Sequence, residues 1–205
     1  ILGDRFEYRG AYDLAAFATL VAGAEHERIA SSTSYEGAVP DLANDTVTSG
    51  YAQLSLRPLA GLTLTGGVRH DDYSDYGGHT TLGGTIAWAL NDGATVLRAT
   101  YGEGFRAPTL TEGQPPYGNR GLKPETARNL DVGVEQVLIE GKARVFATWY
   151  HRRTTDLIAY SFATSQSENI DRVDTEGLEL GLVLQPTERL QFTGNYTLTN
   201  AINRS

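Results

Sequence analysis

Hydrophobic and polar residues alternate one by one along most of this chain, which is the pattern of β-strands with one apolar face. In one clear row the apolar or glycine positions Leu62, Leu64, Gly66 and Val68 interleave with Thr63, Thr65, Gly67 and Arg69. The alternation predicts about ten strands, near 1–10, 16–30, 47–57, 62–71, 80–90, 94–104, 127–138, 143–154, 174–184 and 189–200.

The connections between these strands alternate in length. Short turns rich in Gly, Pro, Asn and Asp are predicted near 12–13, 58–61, 91–93, 139–141 and 185–188, and long polar loops over 31–46, 72–79, 105–126 and 155–173. In an antiparallel meander every second connection lies at the same end, so all long loops share one end, as in bacterial outer-membrane barrels. The sequence therefore predicts an all-β fold, an antiparallel up-and-down meander of about ten strands that forms a fragment of a transmembrane outer-membrane β-barrel.

The two faces of the predicted strands differ in polarity. Charged and amide residues inside strands fall on the parity opposite to the Leu, Val and Ile row: Arg57, Arg69, Arg98, Asp131, Glu135, Glu179 and Asn195. An Arg or Lys on a lipid face costs about 2–4 kcal/mol at the bilayer midplane, which explains the segregation. A soluble all-β binding module also alternates and stays open as an alternative, although it has no reason to collect its long loops at one end.

Composition removes several function classes. The 205 residues carry 17 basic and 25 acidic side chains and no block of basic residues, which argues against nucleic acid as a partner. No Cys occurs, so disulfides and thiolate sites are excluded. No apolar run is long enough for a transmembrane helix. The absence of any Met, including a start residue, predicts that the chain is a segment of a longer protein.

No motif argues for an enzyme. Gly102–Ala107 matches a dinucleotide-binding fingerprint, but Pro108 follows directly and no helix pattern comes after it, so the phosphate-binding helix start is missing. Serine-hydrolase, zinc-protease and P-loop motifs do not occur in the sequence. The chain is therefore predicted not to be an enzyme, with no covalently bound cofactor.

Two predicted loops carry candidate binding chemistry. Asp71, Asp72 and Asp75 could supply oxygen ligands to a Ca²⁺ ion, although a solvated hairpin tip turning at Gly77 explains the same residues. Aromatic side chains on the long loops could stack on a ligand or pack against neighbouring loops. The candidate ligand-binding residues are Asp72, Tyr73, Asp75, Tyr76, Phe105, Arg106, Tyr117 and Asn119.

The segments 101–110 (YGEGFRAPTL) and 118–125 (GNRGLKPE) resemble TonB-dependent outer-membrane receptors. That family typically carries an aromatic-Lys/Arg-Ala-Pro segment followed by Asn-Pro-x-Leu-x-Pro-Glu, and here Arg120-Gly121 replaces the Pro-x pair. The segments 156–158 and 175–180 resemble the family's next two landmarks in the right order. The hairpin 71–81 is most similar to the cobalamin (vitamin B12) receptor branch.

This resemblance implies the central part of a plugged barrel of 22 strands. The plug domain, the TonB box and the C-terminal strands are expected to lie outside residues 1–205. The implied function is the barrel wall and extracellular loops of an energised receptor in the bacterial outer membrane. Such a receptor takes up a scarce, large nutrient, a metal chelate such as a siderophore or cobalamin. The implied partners are outer-membrane lipid, the TonB complex through the plug, and the small-molecule nutrient. A passive porin-like or adhesion barrel is the alternative.

Overall fold

The computed structural model describes residues 2–33, 41–113 and 118–204 and shows a single sheet of ten antiparallel strands. Each strand pairs with the next along the chain, in the order β1 to β10, which confirms the predicted meander. The strands are β1 Leu2–Ala15, β2 Ala18–Thr33, β3 Asp41–Leu59, β4 Leu62–Tyr73, β5 Gly77–Leu90, β6 Thr95–Arg106, β7 Glu125–Ile139, β8 Ala143–Ser161, β9 Gln166–Thr187 and β10 Leu190–Asn203. A short 3₁₀ turn, Asn91–Gly93, and a four-residue helix α1, Leu110–Gly113, complete the described elements.

The connections predicted as turns and those predicted as loops lie at opposite ends of the sheet, although two of the predicted loops are as short as the turns. We call the end with the connections 16–17, 60–61, 91–94, 140–142 and 188–189 the turn end, and the end with 34–40, 74–76, 107–124 and 162–165 the loop end. At the turn end Gly61 has a φ of +76° and approaches the backbone of Ala89 so closely that a Cβ would clash. The first turn falls at residues 16–17 instead of the predicted 12–13, because Asp13 lies inside β1 and accepts a hydrogen bond from Thr19 Oγ1 at 2.8 Å.

Three of the four predicted long loops are shorter than expected, because their strands continue further. Strands β8 and β9 stay paired up to Ser161 and Gln166, so most of the predicted loop 155–173 is a projecting hairpin. Residues 41–46 belong to β3, and only residues 74–76 separate β4 from β5. The alternation fades in these strand ends because a hairpin with both faces in water needs no apolar row. The connection 107–124, of which residues 107–113 and 118–124 are described, stays long and contains the helix α1.

Large apolar side chains point out of the sheet. On the outer face Val68, Leu82, Ile86 and Val132 are each about half exposed. Among the described residues, the buried apolar side chains are Ala18, Leu122, Ala143 and Pro108. A soluble sandwich would bury its apolar rows between two sheets. This wall has an apolar surface and no interior core, which is the arrangement of a lipid-facing barrel segment.

The inner face is polar and internally bonded. Arg69 Nε donates to Asp71 Oδ1 at 2.7 Å, and its Nη2 donates to Ser49 Oγ at 2.8 Å. Glu25, which is almost fully buried, lies 3.5 Å from the same guanidinium. These side chains come from β2, β3 and β4, so an ion-pair network crosses three neighbouring strands. In the parts of the chain that the structure describes, no helix is long and apolar enough to cross a membrane.

Candidate functional site

The long connection 107–124 is held to the wall by one arginine. Arg106 ends β6, and its guanidinium donates to both oxygens of Glu112 at 2.8 and 3.2 Å and to both oxygens of Glu125 at 2.9 and 2.7 Å. Glu125 opens β7 and is the cross-strand partner of Arg106. Because one planar fork serves two carboxylates, the loop is fastened at its start, middle and end.

The fold of α1 follows from a capping box. Thr109 is the residue before the helix and Glu112 comes three positions later, the Thr-x-x-Glu spacing of this motif. Glu112 Oε2 accepts from the Thr109 backbone N–H at 2.8 Å, and the Glu112 N–H donates to Thr109 Oγ1 at 3.3 Å. Glu112 therefore both starts the helix and binds Arg106.

The two carboxylates are held in their charged form. For Glu125, which lies at the loop-end terminus of β7, the hydrogen bonds from Arg106 lower the pKa below its usual range. Partial burial alone would raise the pKa of Glu112, but the bonds from Arg106 and Thr109 outweigh it and the pKa is lowered. The cluster therefore stays ionised and paired at neutral pH.

A second set of bonds ties the loop to the β8–β9 hairpin. Asn169 accepts from the Lys123 N–H at 2.9 Å and donates to the Lys123 carbonyl at 2.9 Å, and it also donates to the carbonyl of Asp156 at 2.7 Å. The Ile158 N–H donates to Glu125 Oε1 at 2.7 Å. Leu122 is buried beneath this junction. These bonds fasten the end of the connection, at Lys123 and Glu125, to the β8–β9 hairpin.

Aromatic rings cluster where the loop leaves β6. The rings of Phe105 and His79 are stacked with centroids 3.7 Å apart, and Tyr73 lies 5.3 Å from Phe105 at 50°. His79 Nε2 lies 3.0 Å from the carbonyl oxygen of Tyr76. The cluster brings together the loop-end residues of three strands, Tyr73 of β4, His79 of β5 and Phe105 of β6.

The wall has a seam beside this cluster. Backbone pairing between β5 and β6 stops at Gly83 and Gly102, although both strands continue towards the loop end. The Leu82 N–H donates to Glu103 Oε2 at 3.2 Å, so a side chain takes over where the ladder ends. Tyr101 supports this carboxylate by donating to Glu103 Oε1 at 2.7 Å.

The structure brings together some of the residues that the sequence singled out. Tyr73 and Phe105 are in contact, Arg106 binds carboxylates of its own loop, and the Asn119 N–H donates to the Glu112 carbonyl at 2.7 Å. Asp72 and Asp75 are exposed near the 74–76 turn, Tyr76 is half-buried, and Tyr117 lies outside the described residues. Their contact with a ligand stays a prediction.

The three aspartates named as metal ligands do not converge. Asp71 faces inward, is buried, and accepts from Ser49 Oγ at 2.6 Å as well as from Arg69. Asp72 is its neighbour in the strand and therefore points to the opposite face. In the described ranges no group of three or more His, Asp or Glu side chains could hold a metal ion. A Ca²⁺ site here stays a prediction with no geometric support.

Sequence reasoning missed three residues that organise this site: Glu112, Asn169 and His79. The Thr-x-x-Glu spacing could have identified Glu112 as a helix start. Asn169 acts 46 residues away from Lys123, and His79 stacks on a ring from another strand. No local signal marks such long-range contacts.

Comparisons with known proteins agree with this architecture. The family described as TonB dependent receptor-like, beta-barrel matches residues 2–205. The iron-regulated outer membrane virulence protein of Vibrio cholerae is 27% identical over 206 aligned residues, which cover 88% of this chain and 31% of that protein.

Solved structures share the fold. The siderophore receptor PirA from Pseudomonas aeruginosa superposes with a TM-score of 0.84 at 23% identity, over 97% of this chain and 40% of that one. A mutant of the ferric enterobactin receptor PfeA from Pseudomonas aeruginosa, in complex with enterobactin, gives 0.79 at 21% identity, over 96% and 35%. The copper transporter OprC gives 0.76 at 21%, over 98% and 36%. The chain thus spans about a third of the length of these relatives.

Proposed function

Because the chain belongs to the TonB-dependent receptor β-barrel family, we propose that it is the wall and extracellular-loop segment of a receptor for energised uptake of a ferric siderophore. The chain is part of a transmembrane barrel in the bacterial outer membrane, and its loop end is the extracellular end, since such barrels have short periplasmic turns. The ligand and the energised step are the proposal.

The observation that carries this proposal is the construction of the 107–124 connection. An ordinary connector is mobile, yet this one is fastened by Arg106 to Glu112 and Glu125 and by Asn169 to Lys123. A preorganised extracellular surface loses less conformational freedom when a ligand binds, which favours affinity for a dilute nutrient. A passive pore has no need of such a surface.

The aromatic cluster at the base of this loop suits a siderophore. Tyr73 and Phe105 bring two π-faces together with the imidazole of His79. Flat aromatic chelating groups stack favourably on such rings at offset or tilted angles. Three of the four relatives named above support this ligand class, since two are siderophore or ferric enterobactin receptors and one is iron-regulated, whereas the fourth is a copper transporter.

A binding experiment on the intact protein tests the ligand class. Ferric enterobactin is titrated into the protein with Phe105→Ala as the test variant. Phe17→Ala is the control, an exposed aromatic at the turn end. Loss of one stacked ring predicts an affinity about threefold to tenfold weaker for Phe105→Ala and unchanged for Phe17→Ala. Absence of ferric siderophore binding to the wild type would reject the proposed ligand, and equal weakening by both variants would reject the aromatic cluster as its site.

Two further measurements decide between the remaining alternatives. Uptake in cells with and without TonB separates an energised receptor from a passive barrel, because passive entry persists without TonB. Competition with cobalamin tests the branch suggested by the 71–81 hairpin, which no relative named above supports. Ferric siderophore bound in the presence of excess cobalamin favours the siderophore ligand.

A further inference from the structure

Arginines gather on the outer face of the wall at its extracellular end. They come from four successive strands and are accompanied by two carboxylates: Arg128 on β7, Arg153 on β8, Arg172 on β9 and Arg204 just after β10, with Glu103 on β6 and Asp174 on β9. We call this set the outer arginine cluster. Glu176, two residues from Asp174 on the same face of β9, is exposed as well, so four cations face three anions and the excess is one positive charge.

The cluster lies directly beyond the apolar rows. On β7 Arg128 shares a face with Leu130, Val132 and Val134, which are exposed. On β8 Arg153 shares a face with Trp149, which is also exposed. Residues two apart on a strand are separated by about 7 Å, so the guanidinium groups stand within one or two side-chain positions of the lipid-facing surface. We infer that lipid headgroups meet the barrel at this level, where the exposed apolar rows end.

Two of the arginines oppose each other without an anion between them. Arg128 and Arg153 are direct cross-strand partners in the β7–β8 pairing. Arg128 forms an ion pair with Glu103 on one side, with Nε 3.6 Å from Oε1. Arg153 forms an ion pair with Asp174 on the other side, with Nε 2.8 Å from Oδ1. Like charges directly opposite on one face destabilise a sheet, and an anion bound between them removes that cost.

The surface around this pair is concave. A depression of about 510 Å³ is lined by Arg128, Arg153 and Arg172, and at its other side it reaches His79 and Phe105 of the aromatic cluster. The Arg172 Nε atom is buried and has no hydrogen-bond partner, although Asp174 Oδ2 lies 3.3 Å away. The depression therefore combines guanidinium groups with space for a headgroup.

We propose that the outer arginine cluster binds the phosphate headgroup of an anionic lipid in the outer leaflet. Guanidinium forks match phosphate oxygens in pairs, and basic clusters next to a membrane recognise anionic phosphate headgroups. The occupant is a lipid because the cluster continues the lipid-facing surface and points away from the lumen. The inference rests on the membrane location of the chain and does not require the proposed siderophore uptake.

Native mass spectrometry of the intact, delipidated protein tests this inference. Phosphatidic acid and phosphatidylcholine with identical acyl chains are the probes. The test variant combines Arg128→Gln with Arg153→Gln, and the control is Arg152→Gln, which removes a neighbouring arginine from the opposite face. With about one kcal/mol for each of the two opposed arginines, Arg128 and Arg153, this pair should give the wild type and the control an about 30-fold preference for phosphatidic acid over phosphatidylcholine. The double variant should lose this preference.

Equal binding of the two lipids by the wild type would overturn the proposal, as would a preference that survives in the double variant. Should the double variant not assemble, the wild type alone decides. Its melting temperature should then rise with phosphatidic acid and not with phosphatidylcholine. An equal rise with inorganic phosphate alone would identify a free-phosphate site and reject the lipid.

Discussion

A single arginine placed on the outer face should block assembly of the barrel wall. Val132 is about half exposed, and its cross-strand partners on the outer face are Ala99 and Trp149. It lies four residues from Arg128, about 13 Å along the strand and, at a tilt of about 45°, some 10 Å below the headgroup level. That depth is close to the middle of an apolar band about 25 Å tall.

The magnitude follows from this depth. An arginine at the midplane costs about 2–4 kcal/mol, a factor of about 30 to 1,000 in the folding equilibrium. Thr100→Arg is the matched control, because Thr100 lies one strand away on the inner face. There it lines a depression of about 410 Å³ and has Asp131 as its cross-strand partner. Its new charge is therefore hydrated and paired.

Two measurements on the intact protein check this expectation. Denaturant unfolding in phospholipid vesicles gives the free energy, and the heat-modifiable band on a gel gives the assembled fraction in cells. Val132→Arg should lose most of the assembled fraction, and Thr100→Arg should remain close to wild type. Equal losses in the two variants, or a larger loss for Thr100→Arg, would show that the outer and inner faces are assigned wrongly.

Three other changes test the loop end and the packing of the sheet. Arg106→Ala should destabilise the connection 107–124 by about 1–2 kcal/mol, an estimate reduced because the guanidinium is two-fifths exposed. Hydrogen exchange in this connection should become faster, while the global melting temperature stays the same. Unchanged exchange would contradict the role of Arg106. Because the pKa values of Glu112 and Glu125 are lowered, their pairing stabilises the loop above the ordinary glutamate pKa of about 4.3 and is lost as the pH falls through the lowered values. Protection factors in the described parts of 107–124, which correct for the intrinsic pH dependence of amide exchange, should therefore stay constant from pH 7 down to the ordinary glutamate pKa and fall only below it, and a fall between pH 5 and 7 would implicate another group. Gly177→Ala should lower the free energy of unfolding by about 1–3 kcal/mol, because the new Cβ would clash with the Leu198 carbonyl and the Tyr150 hydroxyl. Gly66→Ala is the control, since Gly66 has open space around it, and should lower this free energy less. Similar decreases in the two variants would refute the clash.

The lipid-exposed part of the fold could be predicted from the sequence because lipid imposes a strict period of two. Val68, Leu82 and Val132 must face outward and their polar neighbours inward, so the sequence identifies each strand and which of its faces meets lipid. The turns can be identified from turn-forming residues such as Gly61, which has a positive φ. The exception is Asp13, a turn-type residue that a strand accommodates by bonding to Thr19.

The site could be predicted only where its residues lie close in the sequence. Phe105 and Arg106 were found from their motif, but the partners that define their geometry come from other strands: His79 for the ring, and Glu125 for the guanidinium. The period-two rule also stops at the membrane surface. For that reason the sequence predicts a loop where β8 and β9 extend beyond the membrane.

The seam between β5 and β6 has a mechanical consequence. Beyond Gly83 and Gly102 no backbone bond joins these two strands, so the wall is held there by the Leu82 to Glu103 contact and by the ring of Phe105 against His79. A load applied to the 107–124 connection passes through Arg106 to β6 and β7, one edge of the seam, while β5 stays attached to β4. The rim at the loop end is therefore joined along this line by side-chain contacts, whereas the turn-end half of the β5–β6 pair keeps its backbone ladder.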